Sequence, residues 1–355
     1  MKDNNPITET NNFKDGGDNK PKKGKGKLKL VGICIFLSLV LGLSGGFIAS
    51  RLFTGGTVDD RITQVVDDID DCVVEIDTEK VESNSTETVS SSGSGIVISA
   101  DGYIATNRHV LENSKSVVVT LKNSEKYPAT LVGYDSDEDI AVVKIDKKGL
   151  RPVQFSDSSA MRVGQKTIVI GNALGLLEGT VSSGIISAKE REMVLNGETM
   201  VLFQTDAAIN NGNSGGGIFD MNGKLLGMVV ARSRITSSEG LGFGIPSNTV
   251  KFVTDQILKY GYVPGRIDLQ MTLVQTDSGS IIVAKMKEGS NAESAGFKIG
   301  DIIKEVKHQP VTSLGEVDKI VDDCKVGEVI DFTIDRDGQE SAISLPLAEF
   351  KPVTK

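Results

Sequence analysis

The chain has 355 residues, 39% hydrophobic and 25% charged, which suits two or three domains with cores of their own and excludes global disorder. A formal net charge of −9 argues against a nucleic-acid binder, and three cysteines are too few for a disulfide framework or a Cys-rich zinc module. Abundant glycine (39), sparse proline (9) and no tryptophan predict a β-rich chain with many tight turns.

Residues 1–29 hold eight lysines and four acidic residues, a net +4 that leaves −13 for the remainder. This polar stretch has no apolar periodicity and is expected to be disordered. From Leu30 to Ala49 the sequence reads LVGICIFLSLVLGLSGGFIA, without a charge. Such a helix, at about 1.5 Å per residue, is about 30 Å long, the thickness of a bilayer core. Six lysines between Lys20 and Lys29 precede it and only Arg51 follows closely. The reading is a transmembrane anchor over 30–50, N-terminus cytoplasmic and the rest outside. The alternative is a cleaved signal peptide, with a small-residue site at Ser44-Gly45-Gly46, although such apolar regions are usually about 7–15 residues. Residues 51–60 read as a linker.

Next come an acidic segment, TVDDRITQVVDDIDD, and a strand-like CVVEI. From Gly93 to Asn248 short Val/Ile-rich runs recur, bounded by Gly, Asp, Asn or Ser, the pattern of a β-sandwich or barrel. A helical period appears only in SNTVKFVTDQILKYG. There Val250, Val253, Ile257 and Leu258 share one face, and Gly261 is a C-cap. A second unit begins near Val263 and mixes strands with helical stretches around NAESAGF and SLGEVDKIVDDCK. Its Arg336-Asp337-Gly338-Gln339 reads as a hairpin turn. Cys72 and Cys324 are expected to be separate thiols, and His308 an exposed turn residue.

Three segments carry chemistry. GSGIVISADGYIATNRHV places His109 at the end of a strand–turn–strand pattern. In YDSDEDIAVVKI, Asp139 directly precedes an apolar strand. TDAAINNGNSGGGIFD places Ser214 among glycines. A serine hydroxyl needs an adjacent base, an imidazole can be that base near neutral pH, and a carboxylate fixes the imidazole tautomer. The glycines let the Gly212 and Ser214 N–H groups converge on an oxyanion. The order His, Asp, Ser is that of the chymotrypsin class. Asp135, Asp137 and Glu138 read as solvated loop charges. This chemistry needs no metal and no cofactor.

At these residues the chain resembles the HtrA (Deg) family of trypsin-like serine proteases. The motifs are Gly93-Ser94-Gly95, Thr106-Asn107-Arg108-His109-Val110, Asp139 to Lys144, Asp206 to Gly216 and Gly242 to Asn248. The resemblance implies a mainly β protein with two six-stranded barrels over 61–262 and the active site between them. A small α+β PDZ domain over 263–350 would follow, and the transmembrane helix would precede both. It further implies a homotrimer acting on unfolded or damaged polypeptides, without activation by a freed N-terminus, since Asn213 stands where the acidic partner of such an amine would be. The family's P1 pocket maps onto Ile209, Met228, Val230 and Ala231, with Arg232 next in line. These apolar walls imply cleavage after small or aliphatic residues. The alternatives are a regulatory protease with one signalling substrate and a binding protein with a dormant protease fold. The PDZ carboxylate-binding run corresponds to Asp268-Leu269-Gln270-Met271, where a lost glycine and an added acid both disfavour a C-terminal carboxylate.

Overall fold

The computed structural model describes residues 36–40, 58–81, 88–173, 177–195, 198–230, 241–276 and 278–351. Residues 36–40 are helical, and the rest of the expected span over 30–50 lies outside the described residues. Among the described residues no helix is long and apolar enough to cross a membrane. Residues 1–57 and Val58–Lys355 are separate units, and among the described residues every strand belongs to the second.

The second unit opens with helix α1 (Val58–Ile69), which begins inside the segment read as a linker. Its signal is present in the sequence: Ile62, Val65, Val66 and Ile69 recur at helical spacing beneath the acidic residues. Val65 and Ile69 are buried in the main core, with Ile62 and Val66 against it.

Strands β1 (Val73–Val81), β2 (Thr88–Val97), β3 (Tyr103–Asn107), β4 (Ser114–Thr120), β5 (Lys126–Asp135) and β6 (Ile140–Ile145) close into a barrel in the order β1-β2-β3-β6-β5-β4. A second barrel is made of β8 (Lys166–Ala173), β9 (Leu177–Leu195), β10 (Glu198–Thr205), β11 (Gly217–Phe219), β12 (Lys224–Val230) and β13 (Gly242–Pro246). It runs β11-β8-β9-β10-β13-β12 and closes by β11–β12 pairing, with the two-residue β7 (Gln154–Phe155) added parallel to β12. The two expected six-stranded barrels are thus present. One turn of helix, α2 (Arg108–Leu111), follows β3.

Helix α3 (Ser247–Tyr260) buries Val250, Val253 and Ile257 against the main core, while Leu258 is 41% exposed. The expectation for Leu258 is therefore corrected: it sits at the edge of the stripe, not within it. Gly261 ends the helix in the left-handed region, its N–H donating to the Ile257 carbonyl. Gly133 of β5 meets this cap directly, since a methyl group there would come within 2.0 Å of the Gly261 carbonyl oxygen.

The C-terminal part of the second unit has strands β14 (Ile267–Asp268), β15 (Met271–Gln275), β16 (Ile281–Met286), β17 (Ile302–Val306), β18 (Gln309–Pro310), β19 (Val329–Arg336), β20 (Gln339–Pro346) and β21 (Ala348–Glu349). One sheet runs β15-β16-β17-β19-β20, with β18 on β17, and β14 pairs separately with β21. Helices α4 (Asn291–Ala295) and α5 (Leu314–Asp322) interrupt the strands, and α5 starts at a capping box formed by Ser313 and Glu316. Phe297 and Phe332 meet edge to face in its core at 5.3 Å. The hairpin at Asp337-Gly338 forms as expected, both residues having positive φ. Cys72 and Cys324 are free thiols, and burial pushes the Cys72 thiol up to about 11.

Because Ile257 is fully buried between α3 and the strands, Ile257→Ala should cost about 2–5 kcal/mol. Urea unfolding of the variant and of the unaltered chain, compared at the same m-value, measures it.

Candidate active site

Strands β3 and β6 pair with Asn107 opposite Ile140, so the residues just beyond those partners, His109 in α2 and Asp139 before β6, are brought side by side. Asp139 ends the four-residue turn between β5 and β6, where its N–H donates to the Ser136 carbonyl. It is only 3% exposed and has φ of +51°, an uncommon conformation for a residue with a side chain. Its carboxylate holds His109 twice: Oδ2 lies 2.6 Å from the ring Nδ1, and Oδ1 accepts the His109 backbone N–H at 3.0 Å. The Asp139 carbonyl accepts the Arg108 N–H and the Asn107 Nδ2–H at 3.0 and 3.1 Å. Both the carboxylate and the backbone of Asp139 are therefore fixed from the β3–α2 side.

Ser214 lies in the loop between β10 and β11. Strand β2 ties that loop to the first barrel. The Ser94 N–H donates to the Ser214 carbonyl at 2.8 Å, and the Ser94 hydroxyl to the Gly212 carbonyl at 2.8 Å. Thr106, three residues before His109, donates its hydroxyl to the Ser94 carbonyl at 2.7 Å. Gly215 must be glycine, because its φ is +83° and a methyl group would lie 2.2 Å from the Ser94 oxygen. The Asn213 N–H closes a turn onto the Asn210 carbonyl, with Gly212 at φ +94° inside it. Asn213 is itself buried. Ser94, Thr106 and Asn107 were seen in the sequence as motif letters only. In the fold Ser94 bonds across to the Ser214 loop, while Thr106 and Asn107 bond to Ser94 and Asp139 within the first barrel.

Of the expected P1 wall, Ile209 lies against Gly242, where a methyl group would come within 2.6 Å of its Cδ1. Val230 is buried, and Met228 is fully buried with its sulfur 3.6 Å from Asn107 Nδ2, which puts it behind the residue that holds Asp139. Ala231 and Arg232 lie outside the described residues. His308 is an exposed turn residue, as expected, with its side chain 81% exposed.

The loop acids need correction. Asp135 is not solvated: its side chain is 1% exposed and takes a two-pronged bond from Arg266, Nε at 3.1 Å and Nη2 at 2.7 Å. Arg266 Nη1 also reaches Asp137 at 3.0 Å, and Glu138 stands 3.9 Å from Nη2. Sequence reading missed this because Arg266 is 131 residues from Asp135. Burial pushes Asp135 up to about 6 and Glu138 to about 7, against the pull of the Arg266 guanidinium. Burial likewise raises Asp137.

Residues 93–228 match the trypsin-like peptidase domain family, and residues 265–347 the PDZ domain family. The Do-like serine protease HtrA of Bacillus subtilis (strain 168) is 33% identical over 325 residues, spanning 81% of this chain and 72% of the relative. The chain belongs to the HtrA family of serine proteases. The periplasmic serine endoprotease DegP of Escherichia coli (strain K12) is 38% identical over 271 residues, and there this HtrA chain spans 57% of the relative's length. Among solved structures, the HtrA-type protease AlgW with a tripeptide matches 82% of the chain at TM-score 0.56 and 31% identity, covering 97% of that structure. A serine endoprotease from Yersinia pestis matches at TM-score 0.54 and 31% identity, over 81% of this chain and 98% of that one.

The raised carboxyls give a pH signature. A folded-state value above the unfolded one stabilises fully below the unfolded carboxylate range, and that contribution is lost as pH rises through about 6 to 7. The Ser214→Ala chain should therefore melt at lower temperature at pH 8 than at pH 5. Asp135→Asn with Glu138→Gln should flatten that difference in calorimetry; an unchanged slope would refute the assignment.

Proposed function

We propose that this HtrA chain is a serine endopeptidase that hydrolyses peptide bonds in unfolded or damaged exported polypeptides. The observation that carries the proposal is the 2.6 Å contact between His109 and Asp139, formed beside a Ser214 loop pinned by Ser94. The Ser214 hydroxyl attacks the peptide carbonyl while His109 Nε2 takes its proton. Asp139 keeps the other ring nitrogen protonated and stabilises the imidazolium. The Gly212 and Ser214 N–H groups receive the oxyanion, each contributing about 2.7–4 kcal/mol in the transition state. His109 then protonates the leaving amine, and water repeats the sequence on the acyl-enzyme.

The apolar character of Ile209, Val230 and Ala231, with Met228 packed behind Asn107, supports cleavage after small or aliphatic residues. The uncharged stretch over 30–50 and the lysines before it support a membrane anchor with the protease unit outside the cytoplasm. The periplasmic location in the name of the DegP relative agrees with that side of the membrane. The family resemblance supports a homotrimer.

Wild-type protein should degrade unfolded casein and label with a fluorophosphonate, while Ser214→Ala should do neither. Asp139→Asn should lower kcat by roughly 10⁴-fold with the fold intact, because the imidazole loses its tautomer. Equal proteolysis by the wild type and Ser214→Ala would remove the proposal. A peptide library should show valine, alanine or isoleucine at P1, and a preference for lysine or arginine would contradict the pocket reading.

A further inference from the structure

Lys80 is a cation on a strand face that is otherwise buried. Side chains alternate along β1, so Val74, Ile76, Thr78 and Lys80 share one face and Glu75, Asp77 and Glu79 the other. Val74, Ile76 and Thr78 are each no more than 3% exposed, so their face looks into the first barrel. At the end of this row the strand presents an ammonium instead of a hydrocarbon. Burial holds Lys80 below the usual lysine range, against the pull of Glu112. A half-buried ammonium needs an acceptor, and the peptidase steps make no use of this one.

The acceptor is the backbone of His109. Lys80 Nζ donates to the His109 carbonyl at 3.2 Å. Helix α2 has only four residues, so all its carbonyls fall among the last four that a helix leaves without an intrahelical partner. Side chains of the adjoining strands supply donors: Lys80 bonds the His109 carbonyl, and the Ser114 hydroxyl bonds that of Leu111 at 2.7 Å. A cation suits this place, because the partial negative charge of a helix lies at its C-terminal end. The β1–β4 ladder is irregular at the same point. Glu79 pairs with Ser116 and Lys80 with Ser114, which leaves Lys115 as the extra residue of a bulge beside Lys80. Bulges of this kind re-aim a side chain and are common at barrel rims.

His109 is thereby held at three points. Asp139 accepts its N–H and bonds its Nδ1 from the β6 side, and Lys80 donates to its carbonyl from the β1 side. The first two bonds tie the histidine to its orienting carboxylate, and the third fixes the main chain from which the ring hangs. Arg108, the neighbouring cation on α2, has its Nη1 on Glu112 at 3.5 Å. With the third hold removed, α2 would be free to tilt about Asp139, carrying Nε2 off the Ser214 hydroxyl while the His109–Asp139 pair stayed intact. We propose that Lys80 is a positioning residue for peptide hydrolysis, its ammonium anchoring the His109 carbonyl so that the ring meets Ser214 in line. The proposal rests on the peptidase reading and gives Lys80 no contact with substrate.

The test follows fluorophosphonate labelling of Ser214 in the full chain, in detergent, and records both the rate and the final labelled fraction. The rate reports the histidine-assisted attack, and the final fraction counts correctly folded sites. Lys80→Met keeps the apolar stem and removes the charged donor. It should label roughly tenfold more slowly than the parent and reach the same final fraction, a smaller loss than the about hundredfold cost of displacing a reacting group by an ångström, since both bonds from Asp139 remain. On a peptide substrate kcat should fall by the same factor with KM unchanged. Lys80→Arg, which keeps a charged donor, should label within about twofold of the parent. Labelling of Lys80→Met at the parent rate, a lower final fraction in place of a lower rate, or an equal loss in Lys80→Arg would each overturn the proposal. A parent chain that fails to label would instead remove the peptidase reading, and the proposal with it.

Discussion

The double hold of Asp139 on His109 depends on very little backbone. One residue at a hairpin turn, at φ +51°, uses one oxygen for the ring and the other for the N–H of the same histidine. Fixing the backbone and the ring together removes the rotation that would otherwise let an imidazole drift between partners. The β3–β6 register that permits it is set by apolar pairs on a closed barrel, where a slip by one residue would turn every side chain over. The His109–Asp139 geometry in this protein is therefore a by-product of barrel closure.

The second requirement is that two barrels agree on where Ser214 stands. Strand β2 meets it by using both hydrogen-bonding ends of one residue. Ser94 donates from its backbone to Ser214 and from its hydroxyl to Gly212, while its carbonyl accepts from Thr106 on the histidine strand. The glycine at 215 is the steric condition for that approach. In a low-dielectric cleft such bonds are worth more than on the surface, and leaving any of these groups unpaired would cost about 1–3 kcal/mol.

Much of this was legible in advance, because short strands and turn residues are local signals. The recurring short strands, the Gly261 cap and the Asp337-Gly338 turn could all be read from neighbouring residues, while the barrel pair came from the family resemblance. What escaped was of two kinds. Helix α1 was hidden by its own acidic residues, although Ile62, Val65, Val66 and Ile69 carried the period. The burial of Asp135 and its pairing with Arg266 could not be read, since the partners are far apart in sequence and a run of acids before a strand ordinarily faces water. Met228 illustrates the same limit, for its contact with Asn107 joins residues 121 apart in sequence.

Three consecutive residues of β5 touch the chain beyond α3. Gly133 meets the Gly261 cap, Tyr134 stacks edge-on against Phe350 at 5.4 Å, and Asp135 grips Arg266. Phe350 in turn donates its N–H to the Arg266 carbonyl at 2.8 Å. The tether from 261 to 266 thus leaves and returns to the same stretch of strand, making a small closed ring. A swing of the PDZ unit about this tether would load β5, and β5 runs directly into the turn that ends at Asp139. Mechanically, the C-terminal unit is mounted on the first barrel as a handle is riveted to a blade, at three adjacent points close to the cutting edge.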